Sequence, residues 1–169
     1  MKTKYWRWVA IHWFGVLTFA FAITACAATQ GIVMHSFGFD AIQDSPDIEV
    51  LDYRYGNSKQ PGARPPAWAL RENRVSQGTS THGEMLRGDE LYVKWRIKSS
   101  GSVHEDIVDL RRRLPENIKD HRVYFIVKDT QLYVYLVTPE RRSPDTPPNG
   151  PPQTQYLKTI TIYPDQPKQ

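Results

Sequence analysis

One cysteine, four histidines beyond the first thirty residues and a run of three arginines are the side chains here from which chemistry could be built. Cys26 is the sole thiol, which excludes an intramolecular disulfide and any multi-cysteine zinc or iron–sulfur site. His35, His82, His104 and His121 are scattered. His104-Glu105-Asp106 is the one stretch of consecutive metal-ligand types, but neighbouring strand residues face opposite sides, so only His104 and Asp106 share a face. No metal or cofactor is expected. Asp89-Glu90 and Glu105-Asp106 put carboxylates side by side next to turns, the pattern of a solvated edge rather than an acid/base pair. No Gly-x-Ser-x-Gly elbow, phosphate loop or dinucleotide fingerprint occurs. The expectation is therefore a chain without enzymatic activity or a small-molecule substrate. Arg111-Arg112-Arg113 suits contact with an acidic protein or a lipid phosphate, with Asp106, Asp109, Glu116 and Asp120 near enough in sequence to compensate it. Arg87-Gly88-Asp89 spells a cell-adhesion tripeptide and more simply supplies a turn before a strand.

The segment that carries the cysteine is a different material from the rest. Met1–Arg7 holds Lys2, Lys4 and Arg7 and no acid, and Val9–Thr24 is apolar apart from His12 and Trp13. A short basic region, an apolar run and small residues form an export signal. The run is short for a bilayer span, which takes about 20 residues. No acid precedes Asp40, which keeps the positive-inside bias clean.

Ile23-Thr24-Ala25-Cys26 resembles the lipobox of bacterial lipoproteins, in which a branched residue and two small residues precede an invariant cysteine. The resemblance implies a diacylglyceryl group on the Cys26 thiol, cleavage between Ala25 and Cys26, and acylation of the new α-amino group. One fatty chain holds a protein only marginally on a membrane, whereas two or three hold it firmly. It also removes the thiol from catalysis. Ala27 after the cysteine resembles the sorting signal for the outer membrane.

Cleavage changes the charge arithmetic. The whole chain carries 22 Lys+Arg and 18 Asp+Glu, and the signal removes three basic side chains and no acid, so Cys26–Gln169 is left with a net charge of +1. Neither that charge nor export fits a nucleic-acid partner. What remains is long enough for a single core.

Period-two patterns then dominate. In Glu90–Lys98, Leu91, Val93, Trp95 and Ile97 alternate with Tyr92, Lys94, Arg96 and Lys98, and Ser99-Ser100-Gly101-Ser102 turns the chain back into Val103–Leu110. Arg122–Lys128 and Gln131–Val137 form a second hairpin around Asp129-Thr130, apolar on both faces and so central in a sheet. Asp47–Tyr55 sets Ile48, Val50 and Asp52 against Glu49, Leu51 and Tyr53. Tyr156–Tyr163 is the last strand, with Ile160 and Ile162 on one face. Pro115 opens a short helical turn over Glu116–Asp120. The expected fold is mainly β: a single antiparallel β-sandwich or curved meander of about six strands with one short helix. Its expected organisation is a signal peptide at 1–25, a lipidated tether at 26–39 and a β-rich periplasmic domain at 40–169, with Pro-rich loops at 60–68 and 143–152.

Tyr53, Tyr55, Tyr92, Tyr133, Tyr135, Tyr156 and Tyr163 all fall in these strands, and tyrosine is enriched in protein interfaces. Ser36–Ala41, Asp47–Tyr53, Leu91–Arg96 and Lys119–Phe125 resemble a family of small proteobacterial lipoproteins, some of them similar to immunity partners of type VI secretion phospholipase effectors. The resemblance implies a periplasmic protein that binds a secreted lipase, of the phospholipase D class, and blocks its active site. Such a site accepts a phosphate, so an acidic loop could mimic the substrate. Glu140 and Asp145, by the second Pro-rich loop, are the candidates on that logic, with Arg111, Arg112 and Arg113 as a second partner-binding set. The competing expectation is a structural or assembly lipoprotein that binds an outer-membrane or cell-wall component.

Overall fold

The computed structural model describes Gly31 to Asp165. The signal segment 1–25, the lipobox residues Ile23, Thr24 and Ala25, and Cys26 itself lie outside the described residues.

Eight strands form two sheets. They are β1 (Ile32–Asp40), β2 (Ile48–Tyr55), β3 (Gly78–Leu86), β4 (Glu90–Ile97), β5 (Val103–Asp109), β6 (Arg122–Lys128), β7 (Gln131–Arg141) and β8 (Leu157–Tyr163). One sheet has the order β3-β1-β6-β7-β8 and the other β2-β4-β5. All neighbours are antiparallel except β1 and β6, which run parallel from Ser36↔Arg122 to Gly38↔Tyr124. The sheets pack face to face over one core, so the fold is a β-sandwich. Gly31 marks one end of it, the near end, and β1 runs from there to the far end.

The perfect alternation of β4 does what its pattern demands. Leu91, Val93, Trp95 and Ile97 are buried while the intervening polar residues face water. The β6–β7 hairpin closes through Asp129-Thr130, with Lys128 opposite Gln131. Asp129 takes the glycine's place at φ 52°, a conformation that Asp tolerates better than most residues.

Four sequence expectations are corrected. The chain from Ile32 onward is strand, not tether. Phe37 and Phe39 point into the core, and Phe37 stacks on Tyr55 with ring centroids 4.7 Å apart. The small residues of β1 misled because they serve packing: a Cβ on Gly38 would lie 2.6 Å from the Thr79 carbonyl oxygen, so only glycine lets β3 approach. β3 itself was missed, since Thr79, Thr81 and Gly83 line its inner face in place of an apolar series. In β2 the bulge between Val50 and Asp52 reverses the alternation, so Ile48 and Val50 are followed inward by Tyr53 and Tyr55, not by Asp52. Glu116–Asp120 is a set of turns, not a helix. Leu114 and Ile118 are buried as anchors, and Asp120, at φ 59°, donates its N–H to the Met34 carbonyl at 2.8 Å. The short helices are instead α1 (Ala41–Asp44), capped by the Asp40 side chain, and α2 (Ala67–Arg71), which begins inside the first Pro-rich stretch.

Candidate functional site

The far end gathers three aspartates that sequence reasoning had not joined. Asp44 follows β1, Asp47 precedes β2, and Asp129 sits in the β6–β7 turn. With Pro46 and Lys128 they line an open cleft of about 220 Å³. Parallel pairing of β1 with β6 brings the two remote segments together, and no local motif announces such a pairing. The cleft is braced. The Asp47 carboxylate accepts the backbone N–H and the hydroxyl of Ser99, at 3.0 and 2.5 Å. Lys98 Nζ donates to the Pro46 carbonyl at 2.8 Å, and Trp95 Nε1 to the Asp129 carbonyl at 3.0 Å. Asp44 accepts from Tyr124 Oη at 2.8 Å and from Gln153 Nε2 at 3.1 Å. Burial pushes the Asp44 carboxyl above its usual range, against the pull of those two donors. The Asp129 carboxylate has no hydrogen-bond or ion-pair partner among the described residues. Although three aspartates line the cleft, no three His, Cys, Asp or Glu side chains among the described residues are placed so that they could hold one metal ion. A rigid notch of this kind is chemically suited to cationic side chains of a protein surface.

No protein-family model, curated protein or solved structure matches this chain.

The second Pro-rich stretch is a strap. Arg142 closes its neck: the backbone N–H donates to the Tyr156 carbonyl at 3.0 Å, Nε to the Gln155 carbonyl at 2.8 Å, and Nη1 to the carbonyls of Ser143 and Thr146. From there the chain folds back over the outer face of the five-stranded sheet. Asn149 donates to Thr161 Oγ1 at 2.9 Å, Gly150 lies against Thr159 and Tyr135, and Gln153 reaches Asp44.

The residues singled out from sequence do not gather in one place. Glu140 pairs with Lys158 at 2.9 Å, which holds its carboxyl below the usual range. Asp145 is exposed in the strap. The three arginines diverge. Arg111 makes a two-pronged contact with Asp109 at 2.9 and 3.0 Å. Arg113 turns to Asp165 and the Ile162 carbonyl, with its guanidinium 5.5 Å from the Tyr163 ring centroid. Arg112 is exposed and has no acidic partner among the described residues.

The tyrosines do not make a common face either. Tyr53 and Tyr55 are core residues, and Tyr135 packs with Tyr124 and Ile126 behind the strap. Tyr92 lies under Arg54, whose guanidinium also pairs with Glu90 at 2.9 Å, and it donates to Glu105 at 3.0 Å. Burial and the Glu105 charge push its phenol up to about 12. Of the described tyrosines only Tyr156 stands largely free, at 65% exposure.

The histidines serve the scaffold. His104 stacks on Trp95 from the same face as Asp106, as the spacing predicted. Ser36 Oγ and His82 Nδ1 are 2.9 Å apart across β1 and β3, but Ser36 spends its N–H on the His121 carbonyl, and no acid bonds the His82 ring among the described residues. Gly88, centre of the Arg-Gly-Asp tripeptide, is buried under Tyr55, where a Cβ would come within 2.5 Å of the ring, so the tripeptide is a packing turn.

His35 is fully buried. Its Nδ1–H donates to the Val33 carbonyl at 2.8 Å, so Nε2 accepts from Tyr55 Oη at 3.1 Å and the ring is neutral. Burial holds its pKa below 6.5. Below that value the unfolded chain binds the proton more tightly than the folded one. Stability that is complete above pH 6.5 is therefore lost as pH falls through that value toward the lower folded-state pKa. Urea midpoints should drop between about pH 7.5 and about pH 5. A His35→Gln variant should flatten that dependence, and an unchanged slope would remove His35 from it.

Proposed function

We propose that this chain is a lipid-anchored periplasmic immunity protein that binds a secreted phospholipase effector and blocks its active site. The observation that carries the reading is the braced acidic notch at the far end. A phospholipase site that accepts phosphate is cationic; Asp44 and Asp47 present carboxylates held by hydrogen bonds, and Asp129 adds an unpartnered one on a braced turn. Little ordering entropy is lost on docking, because the turns that carry these acids are already tied to β4, β6 and the strap. The export signal and lipobox pattern would keep the protein where such a toxin arrives.

Periplasmic co-expression with a candidate phospholipase D-class effector tests the reading. Growth rescue and recovery of a complex are expected. If growth is not rescued and no complex forms, the immunity function is wrong. Asp129→Asn removes a charge without disturbing the turn, because Asn also accepts the positive φ. It should weaken the complex by about tenfold, as expected for loss of one charged contact. Glu140→Lys with Asp145→Lys should leave protection intact, and loss of protection there would return the site to the second Pro-rich loop.

A further inference from the structure

We propose that the near end of the sandwich lies on an anionic phospholipid surface, so that the acidic far end is held up and away from it. The inference rests on lipidation of Cys26 and adds an orientation to it. Covalent geometry supplies the first argument. Six Cα–Cα steps separate Cys26 from Ile32, and at full extension they reach about 22 Å. The eight residues of β4 separate the two ends by a further 27 Å or about that. The near end is therefore always the end within reach of the acyl chains.

The second argument is what this end displays. Arg87 joins its parts: its backbone N–H donates to the Gly31 carbonyl at 3.3 Å, and its guanidinium to the carbonyls of Leu114 and Pro115 at 3.3 and 2.7 Å. The basic turn after β5 is thus seated beside the point where the chain leaves for Cys26. Arg87 and Arg142 spend their donors on neutral carbonyls, so their charges are not cancelled. Arg112, Lys119 and Arg141 are exposed without acidic partners among the described residues. Glu84, Asp89, Glu116 and Asp120, none of them ion-paired among the described residues, offset four of these five charges, so this end keeps a small positive excess. At the opposite end Asp44, Asp47 and Asp129 outnumber Lys98 and Lys128, so the two ends differ in sign along the strand direction, by a small margin.

The third argument is apolar. Ile32 is 69% exposed at the start of β1, and Tyr156 is 65% exposed at the neck of the strap, both at the near end. An exposed isoleucine and an amphipathic aromatic ring among arginines are the side chains that settle at a headgroup boundary. Attraction of the basic residues acts only within about 8 Å at physiological salt, a distance the short linker guarantees the domain will sample.

The experiment uses the processed full-length lipoprotein in phosphatidylethanolamine–phosphatidylglycerol vesicles that contain a quencher on the acyl chains. Because Cys26 is the only native cysteine, a fluorophore can be placed singly at Pro115→Cys on the near end or Thr130→Cys on the far end, both exposed sites. Quenching at 115 should exceed that at 130 by at least about threefold, and high salt or Arg112→Glu with Lys119→Glu should shrink the ratio, as for a screened attraction. Equal quenching of both labels on vesicle-bound protein would overturn the orientation and leave lipidation standing. Protein that does not stay with the vesicles at all would overturn both, through the anchor.

Discussion

Phe37→Ala will lower the free energy of unfolding by about 3–5 kcal/mol, the range for truncating a buried phenylalanine. Phe37 sits where both sheets meet. It is fully buried, stacks on Tyr55 at 4.7 Å, and has Tyr53 and Phe125 each at 6.2 Å between ring centroids. Its backbone is held on one side by Thr81 and on the other by Val123, so the strand cannot slide to fill the space. The neighbouring rings are rigid and fused into ladders, which leaves a cavity rather than a collapse. A domain of this size has about 5–15 kcal/mol to lose, so the variant will be near its unfolding threshold at room temperature. Urea titration followed by the fluorescence of buried Trp95 is the measurement. Ile107→Ala, on a side chain 61% exposed, is the control and should shift stability by less than about 0.5 kcal/mol. A Phe37→Ala loss below about 1 kcal/mol would mean the core is not packed as described.

Cys26→Ser will release the processed protein from the detergent phase into the aqueous phase, an all-or-none change. The serine hydroxyl does not accept the diacylglyceryl group that the lipobox implies, and no helix among the described residues is long and apolar enough to cross a membrane. Two or three acyl chains would give firm attachment, and basic residues alone would not replace them. Phase partitioning of the wild type and the variant, with the cleaved N-terminus identified by mass, decides it. Unchanged partitioning of processed Cys26→Ser protein would end the lipoprotein reading. It would also take from the chain the permanent residence on which the immunity function depends.

The parts of the fold legible in sequence were those whose two faces differ. β4 alternates without fault because one face meets the core and the other meets water, and the β6–β7 hairpin is apolar on both faces because the strap and α1 cover its outer side. β3 is illegible because three of its four inner residues, Thr79, Thr81 and Gly83, fit against β1 and the first Pro-rich loop, and only Met85 adds an apolar side chain to the core. β1 reads as a linker in sequence because Ser36 and Gly38, on its outer face, interrupt its apolar series. The bulge in β2 hides which tyrosines point inward, so Tyr53 and Tyr55, which sequence groups with the interface candidates, are core. The acidic notch had no linear signature at all. Asp44, Asp47 and Asp129 each look like an ordinary turn acid, and only the parallel β1–β6 contact makes them neighbours. Glu140 and the arginines looked available because sequence shows charges and not their partners. Lys158, Asp109 and Asp165 occupy three of them.

The place of β1 also sets how the chain can fold. It is the first of the described strands, yet it belongs inside the larger sheet, between β3 and β6. Ser36 waits for Arg122, 86 positions later. A chain delivered N-terminus first therefore carries an unpaired, aromatic-rich strand until most of its length has arrived. Long-range pairings of this kind close late, on the millisecond-to-second scale of sandwich proteins. Until then Phe37 and Phe39 are exposed, and assembly of this domain is a race between its own later strands and whatever binds its first one.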